Sequence, residues 1–232
     1  MSQAATYIWS GAAGNGIYGD SNNWTADGAP NNGYPQDSSS DNAIIGANAG
    51  TITWSDEQDY FGATDSIQLG SGNTLLCTTT MADFQTNKIT LEGNAQLVFE
   101  STNIFGINND FTLDFGTFSA AEHGCWTATD IANFWTQGHT VSFTGTLDMN
   151  SLSGSGTIEL AAIKASQSDE DLHLDLRGLD LSGNPHIQAS VKQVTENGIT
   201  RVLVTYETVP EPATATLSLL GLGALMLRRK RK

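Results

Sequence analysis

Ile67-Gln68-Leu69, Ile89-Thr90-Leu91 and Phe111-Thr112-Leu113 are apolar-polar-apolar triplets that start 22 residues apart. The first two are followed by Gly72-Asn73 and Gly93-Asn94, and each pair gives way to a second apolar stretch, around Leu75-Leu76 and Leu97-Val98-Phe99. Alternation within a triplet puts its outer residues on one face of a strand. A repeat near 22 residues made of such strands suits one coil of a parallel β-helix, in which each coil leaves sheet edges that only the next coil satisfies. Val141-Ser142-Phe143 continues the series after a 30-residue step. The coil between is expected to carry an insertion that includes Ala121-Glu122-His123-Gly124-Cys125-Trp126. The expected fold class is all-β: a parallel β-helix (solenoid), with a β-sandwich of regular hairpins as the alternative.

Outward from this centre the strand pattern persists. Residues 142–160 read as strands with glycine turns, and Leu-His-Leu-Asp-Leu-Arg-Gly-Leu-Asp-Leu at 172–181 reads as an alternating, half-buried strand. Glu196-Asn197-Gly198-Ile199 predicts a hairpin turn between Ile187–Val194 and Ile199–Tyr206, which would blunt the open edge of the sheet. Near the N-terminus, Trp9, Trp24 and Trp54 sit among Gly/Asn-rich loops. They are expected to close the end of the core, with a sugar-stacking platform as the alternative.

Of 232 residues, 24 are glycine and only 15% are charged. Residues 1–209 hold 24 acidic and five basic side chains, a balance of −19, whereas 210–232 hold one acidic and five basic, a balance of +4. So acidic a body repels phosphate backbones and excludes nucleic acid as a partner. Cys77 and Cys125 match no zinc or redox spacing; they are a candidate disulfide or two buried thiols.

No sequence signature of a nucleotide site, a zinc protease or a serine hydrolase is present, and no catalytic residue, cofactor or metal is expected. His173 and Asp175 share one strand face but lack a third partner. Asp110, Asp114 and the Asp169-Glu170-Asp171 cluster are the carboxylates to test for glycan hydrolysis or lysis. Lys88, Lys164, Arg177, Lys192 and Arg201 are the only cations in the body, too few for a lyase acting on an anionic sugar. Trp126, Trp135 and Tyr34 are the candidate glycan contacts.

The C-terminus has a different chemistry. Thr208-Val209-Pro210-Glu211-Pro212 is hostile to helix, Ala213 to Leu227 is a 15-residue run without charge, and Arg228-Arg229-Lys230-Arg231-Lys232 ends the chain. As a helix rising about 1.5 Å per residue the run spans roughly 22 Å, short of a hydrocarbon core of about 30 Å. Snorkelling arginines extend that reach. The positive-inside rule then leaves the basic end in the cytoplasm and the body outside.

This three-part order resembles the PEP-CTERM sorting signal of Gram-negative bacteria. The resemblance implies that Pro210, Glu211 and Pro212 are the recognition motif and Arg228, Arg229, Lys230, Arg231 and Lys232 the cytoplasmic stop. It implies an exosortase, a membrane-embedded transpeptidase-like enzyme, as processing partner, in systems that accompany exopolysaccharide production. The Trp9-Ser10-Gly11, Asn22-Asn23-Trp24 and Asp41-Asn42-Ala43-Ile44-Ile45 series likewise resembles the opening of exported bacterial β-solenoid and autotransporter-like proteins. The chain starts directly in strand-like sequence. Ser2-Gln3-Ala4 has the small-x-small pattern of a signal-peptidase site, so a leader is expected upstream of it or already removed.

The organisation expected is a β-rich body at 1–207, a Pro-Glu-Pro linker at 208–212, and a hydrophobic helix with basic tail at 213–232. The function expected is that of a non-enzymatic exported protein, membrane-anchored before processing and destined for the cell surface or extracellular matrix. A carbohydrate-binding or adhesive module contacting extracellular polysaccharide is the alternative, and a glycan-active enzyme ranks third.

Overall fold

The computed structural model describes residues 5–27, 33–35, 41–55, 61–78, 83–164 and 172–209. Two single-turn 3-10 helices, Ser21–Asn23 and Met149–Ser151, are the only helical structure among them. In chain order the strands are β1 (Thr6–Trp9), β2 (Trp24–Asp27), β3 (Asn42–Ile45), β4 (Thr51–Trp54), β5 (Phe61–Leu69), β6 (Thr74–Cys77), β7 (Asp83–Leu91) and β8 (Gln96–Ile107). They continue as β9 (Phe111–Phe118), β10 (Cys125–Trp135), β11 (Val141–Leu147), β12 (Ser155–Lys164), β13 (Leu174–Asp180), β14 (Ile187–Glu196) and β15 (Ile199–Thr208). The described chain is all-β.

From β3 to β12 the chain alternates between two rows. One row is β1-β3-β5-β7-β9-β11-β13, every pairing parallel. The other is β4-β6-β8-β10-β12, also parallel, extended by β15 and β14 through antiparallel pairing. A short pairing of Asp83 with Gly106 and Phe84 with Ile107 joins the rows at a corner.

Register tests the repeat directly. Ile67 lies beside Ile89, a step of 22 residues, but Ile89 lies beside Leu113 and not Phe111, a step of 24. The reason is local. A corner ladder keeps the shorter step, with Asn87 donating to Asp65 and Asn109 donating to Asn87, both at 3.0 Å. The two extra residues are taken up after Asn109, and a shift of two leaves the same face inward. Val141 lies beside Phe111, the expected 30-residue step. The added length is spread: β9 runs three residues past Phe115, which stands where β7 ends at Leu91, and the Ser119–Gly124 turn is two residues longer than the Glu92–Ala95 turn one repeat earlier. Cys125 and Trp126 are not part of it; they open β10.

The inward residues form one core. Leu69, Leu75, Leu91, Leu97, Leu113 and Phe143 are all fully buried. At the N-terminal end, Tyr18 stacks on Trp54 at 4.2 Å, and Trp24 meets Tyr18 and Trp9 edge-on at 4.9 and 5.0 Å. Such ring pairs add about 0.5–1.5 kcal/mol each beyond burial. The Trp24 indole N–H donates to the Tyr18 carbonyl at 2.7 Å. Trp24 and Trp54 are buried, so they close the core and offer no sugar platform; Trp9 is partly buried and packs against them.

At the other end, Asn197 and Gly198 both take left-handed φ, +53° and +75°, as a two-residue hairpin turn requires. The β14–β15 hairpin forms where the sequence predicts it and pairs over ten residues on each strand. β13 departs from strict alternation. Leu174 and Leu176 are half-buried and Leu179 is buried, so the inward parity switches at Arg177-Gly178. There β13 carries an extra residue against β11, and a Cβ on Gly178 would sit 2.7 Å from the Phe143 carbonyl oxygen.

Candidate functional site

β15 is the last described strand before the C-terminal tail. Thr200, Val202 and Val204 point into the core and hold the strand between β12 and β14. Its last residues align with the starts of both neighbours: Glu207 lies beside Ser155 and Gln188, and Thr208 beside Ile187. The Thr208 N–H donates to Gly154 O and the Val209 N–H to His186 O, each at 2.8 Å. The next residue is Pro210, which has no N–H to continue the ladder. The last described backbone hydrogen bonds are therefore those of Thr208 and Val209, immediately before the Pro-Glu-Pro motif, and Thr208, expected in the linker, belongs to β15.

Beside this exit, outward side chains from the three strands line a shallow depression of about 440 Å³. They are Ser155 and Thr157 from β12, Gln188 and Ser190 from β14, and Thr205 and Glu207 from β15. The Ser190 and Thr205 hydroxyls lie 3.1 Å apart. Such a surface donates and accepts hydrogen bonds. It has no histidine or cysteine in its lining to activate a hydroxyl. Each contributing stretch, Ser-Gly-Thr, Gln-Ala-Ser and Thr-Tyr-Glu, shows an outward polar pair in the sequence. Only the register brings the pairs side by side.

A second, more apolar groove of about 720 Å³ lies between β13 and β14, with Leu174, Leu176 and Val191 in its lining. His173 and Asp175 both border it, but the Asp175 carboxylate is engaged by Arg177. Arg177 donates from Nε and Nη2 at 2.8 and 2.7 Å and from its backbone N–H at 3.1 Å. These hydrogen bonds bring the Asp175 pKa down to about 2. A carboxylate held there is a poor proton shuttle near neutrality.

The other carboxylates singled out in the sequence also hold the fold. Asp110 accepts from the Thr140 N–H at 2.8 Å, with His139 Nδ1 3.5 Å away. Asp114 sits 2.7 Å from Lys88 Nζ and accepts from the Gly116 N–H at 3.0 Å. Partial burial works against its ionisation, but these hydrogen bonds outweigh burial and hold it below the usual carboxylate range. The Asp169-Glu170-Asp171 cluster lies outside the described residues. Among the described residues no group of three His, Cys, Asp or Glu side chains could hold a metal ion.

Two sequence expectations are corrected. Trp126 is fully buried and packs against Phe134 at 5.1 Å, Phe99 at 5.6 Å and Phe111 at 6.0 Å, so its faces are not available to a glycan. Trp135 is 40% exposed, and Tyr34 is partly buried against the core. Cys77 and Cys125 are free thiols. Cys77 is in register with Phe99 and Cys125 with Gln96, which places them two strands apart and three residues out of step. At about 4.8 Å per strand and about 3.3 Å per residue that is roughly 14 Å, beyond the reach of a disulfide. The odd offset also turns them to opposite faces. Burial raises both thiols, Cys125 to about 11.

Residues 210–232, with the motif and the basic stop, lie outside the described residues. Among the described residues no helix is long and apolar enough to cross a membrane. Residues 208–232 match the PEP-CTERM protein-sorting motif. The chain thus carries the sorting signal of an exosortase substrate, which implies processing by that enzyme and export in a Gram-negative-type bacterium. No curated protein and no solved structure matches the chain.

Proposed function

We propose that this is a non-enzymatic protein of the cell surface or extracellular matrix, whose body is a parallel β-helix. Its tail would form a hydrophobic helix that anchors it in the membrane until an exosortase processes it. The observation that carries this reading is the junction: the sorting motif begins where β15 makes its last hydrogen bonds. The β-helix is supported by two rows of parallel pairings crossed alternately, since a sandwich of hairpins would pair successive strands antiparallel. Among the described strands only β1–β2, β12–β15 and β14–β15 pair that way. The commitment of Asp110, Asp114 and Asp175 to structural partners supports a role without catalysis.

Fractionation of cells producing the full chain, or a chain lacking 210–232, tests the reading. The full chain is expected in the envelope and medium, and the shortened chain is expected to lose envelope association. A body that stays cytoplasmic in both cases sinks it.

Glycan binding is the second reading, and it rests on the exposure of Trp135. A nucleobase stacked on an aromatic ring is worth about 1–3 kcal/mol, and a sugar face on the Trp135 indole is taken at the same order. Trp135→Ala is therefore expected to weaken retention on extracellular polysaccharide about tenfold in affinity electrophoresis. Unchanged mobility removes this reading and leaves display.

A further inference from the structure

We propose that the depression beside the tail exit is a docking surface for the processing enzyme, so that the enzyme reads the folded body as well as the motif. This rests on the reading of the chain as an exosortase substrate. An extended chain covers at most about 3.6 Å per residue, so Glu211 lies within roughly 7 Å of Val209. Val209 is hydrogen-bonded to His186, and Thr208 to Gly154, at the edge of the depression. Pro210 and Pro212 stiffen what little chain there is. An enzyme that grips the motif must therefore touch the end of the body, or else peel β15 away from both neighbours. Peeling would break the Thr208 and Val209 hydrogen bonds and then the pairings of Glu207 with Ser155 and Gln188.

The surface that such an enzyme meets is suited to a protein partner. It is concave and open, lined by hydroxyls and an amide beside Tyr206, with Glu207 as the single charge. In a body with a balance of −19 this is a nearly neutral patch. It lies where the sorting motif begins, continuous with the one interaction that the chain's sequence already marks.

The test follows tail removal by mass in cells that contain the exosortase. One variant inserts six Gly/Ser residues between Val209 and Pro210, which separates motif from body. Another, Thr157→Arg with Ser190→Arg, fills the depression from exposed positions. Each is expected to slow processing about fivefold or more, with the melting temperature of the body unchanged. Combining them is expected to add little. Faster processing after insertion overturns the proposal, because it shows that the body obstructs the enzyme and the strand must fray. Unchanged rates in both variants overturn it too, because the tail alone is then read. Glu211→Ala tests the underlying reading separately: if that variant is processed normally, or the unaltered chain is not processed at all, the sorting reading fails first.

Discussion

Asn73 and Asn94 occupy corresponding turns one repeat apart, after Gly72 and Gly93, yet they do different amounts of work. The Asn73 carboxamide is buried; it accepts from the Ala49 and Gly50 N–H groups at 2.6 and 3.1 Å and donates to Gly46 O at 2.6 Å. Asn94 is exposed and accepts from Ser71 Oγ and the Gly72 N–H. With a net value of about 0.5–1.5 kcal/mol per hydrogen bond, Asn73→Ala is expected to cost about 1–3 kcal/mol, and Asn94→Ala less than about 1 because water replaces its partners. Urea unfolding of the two variants checks the ranking; equal losses would contradict it. The Gly-Asn recurrence was legible in the sequence, but the difference between the two asparagines was not. The register places them one position apart in the turn: with Thr74 beside Gln96, Asn73 matches the buried Ala95 and Asn94 matches Gly72. Trp126 shows the same limit: nothing in its immediate neighbours reveals that its register partner is the fully buried Leu97.

At the scale of the element, strand existence was plain and strand phase was not. The run from Leu172 to Leu181 reads as one alternating strand, but its leucines change parity across Arg177-Gly178, and that pair marks the bulge. Phe111 likewise announces a strand, while the two-residue slip against β7 comes from the Asn109 corner. Within β13, the Arg177–Asp175 pair gives a pH-dependent contribution to stability. The Asp175 pKa in the fold is about 2, below an unfolded value of about 3.9, so the folded state favours the ionised form. Its contribution is therefore complete above about pH 4 and is lost as pH falls toward 2. Arg177 is exposed and Asp175 half-buried, so solvent screens the pair and the effect is small. Asp175→Asn is expected to lower the melting temperature slightly at pH 6 and by progressively less as the pH falls through about 2, vanishing below it. A difference that persists at the lower pH would assign the effect to packing.

Over the whole molecule, the division between an acidic β-body and a basic-ended tail was legible from charge and hydropathy alone. The exit point was not, because it depends on β15 being inserted between β12 and β14 and not placed at an edge. That placement has a mechanical meaning. A body held through its C-terminus takes any external pull on β15, and β15 carries hydrogen-bonded ladders on both sides. Tension applied along the strand axis loads those ladders together, in shear, and not one bond at a time as in unzipping. The last strand is thus laced into the sheet from two sides, so a pull through the C-terminus would be resisted collectively at the point where the body would otherwise start to unravel.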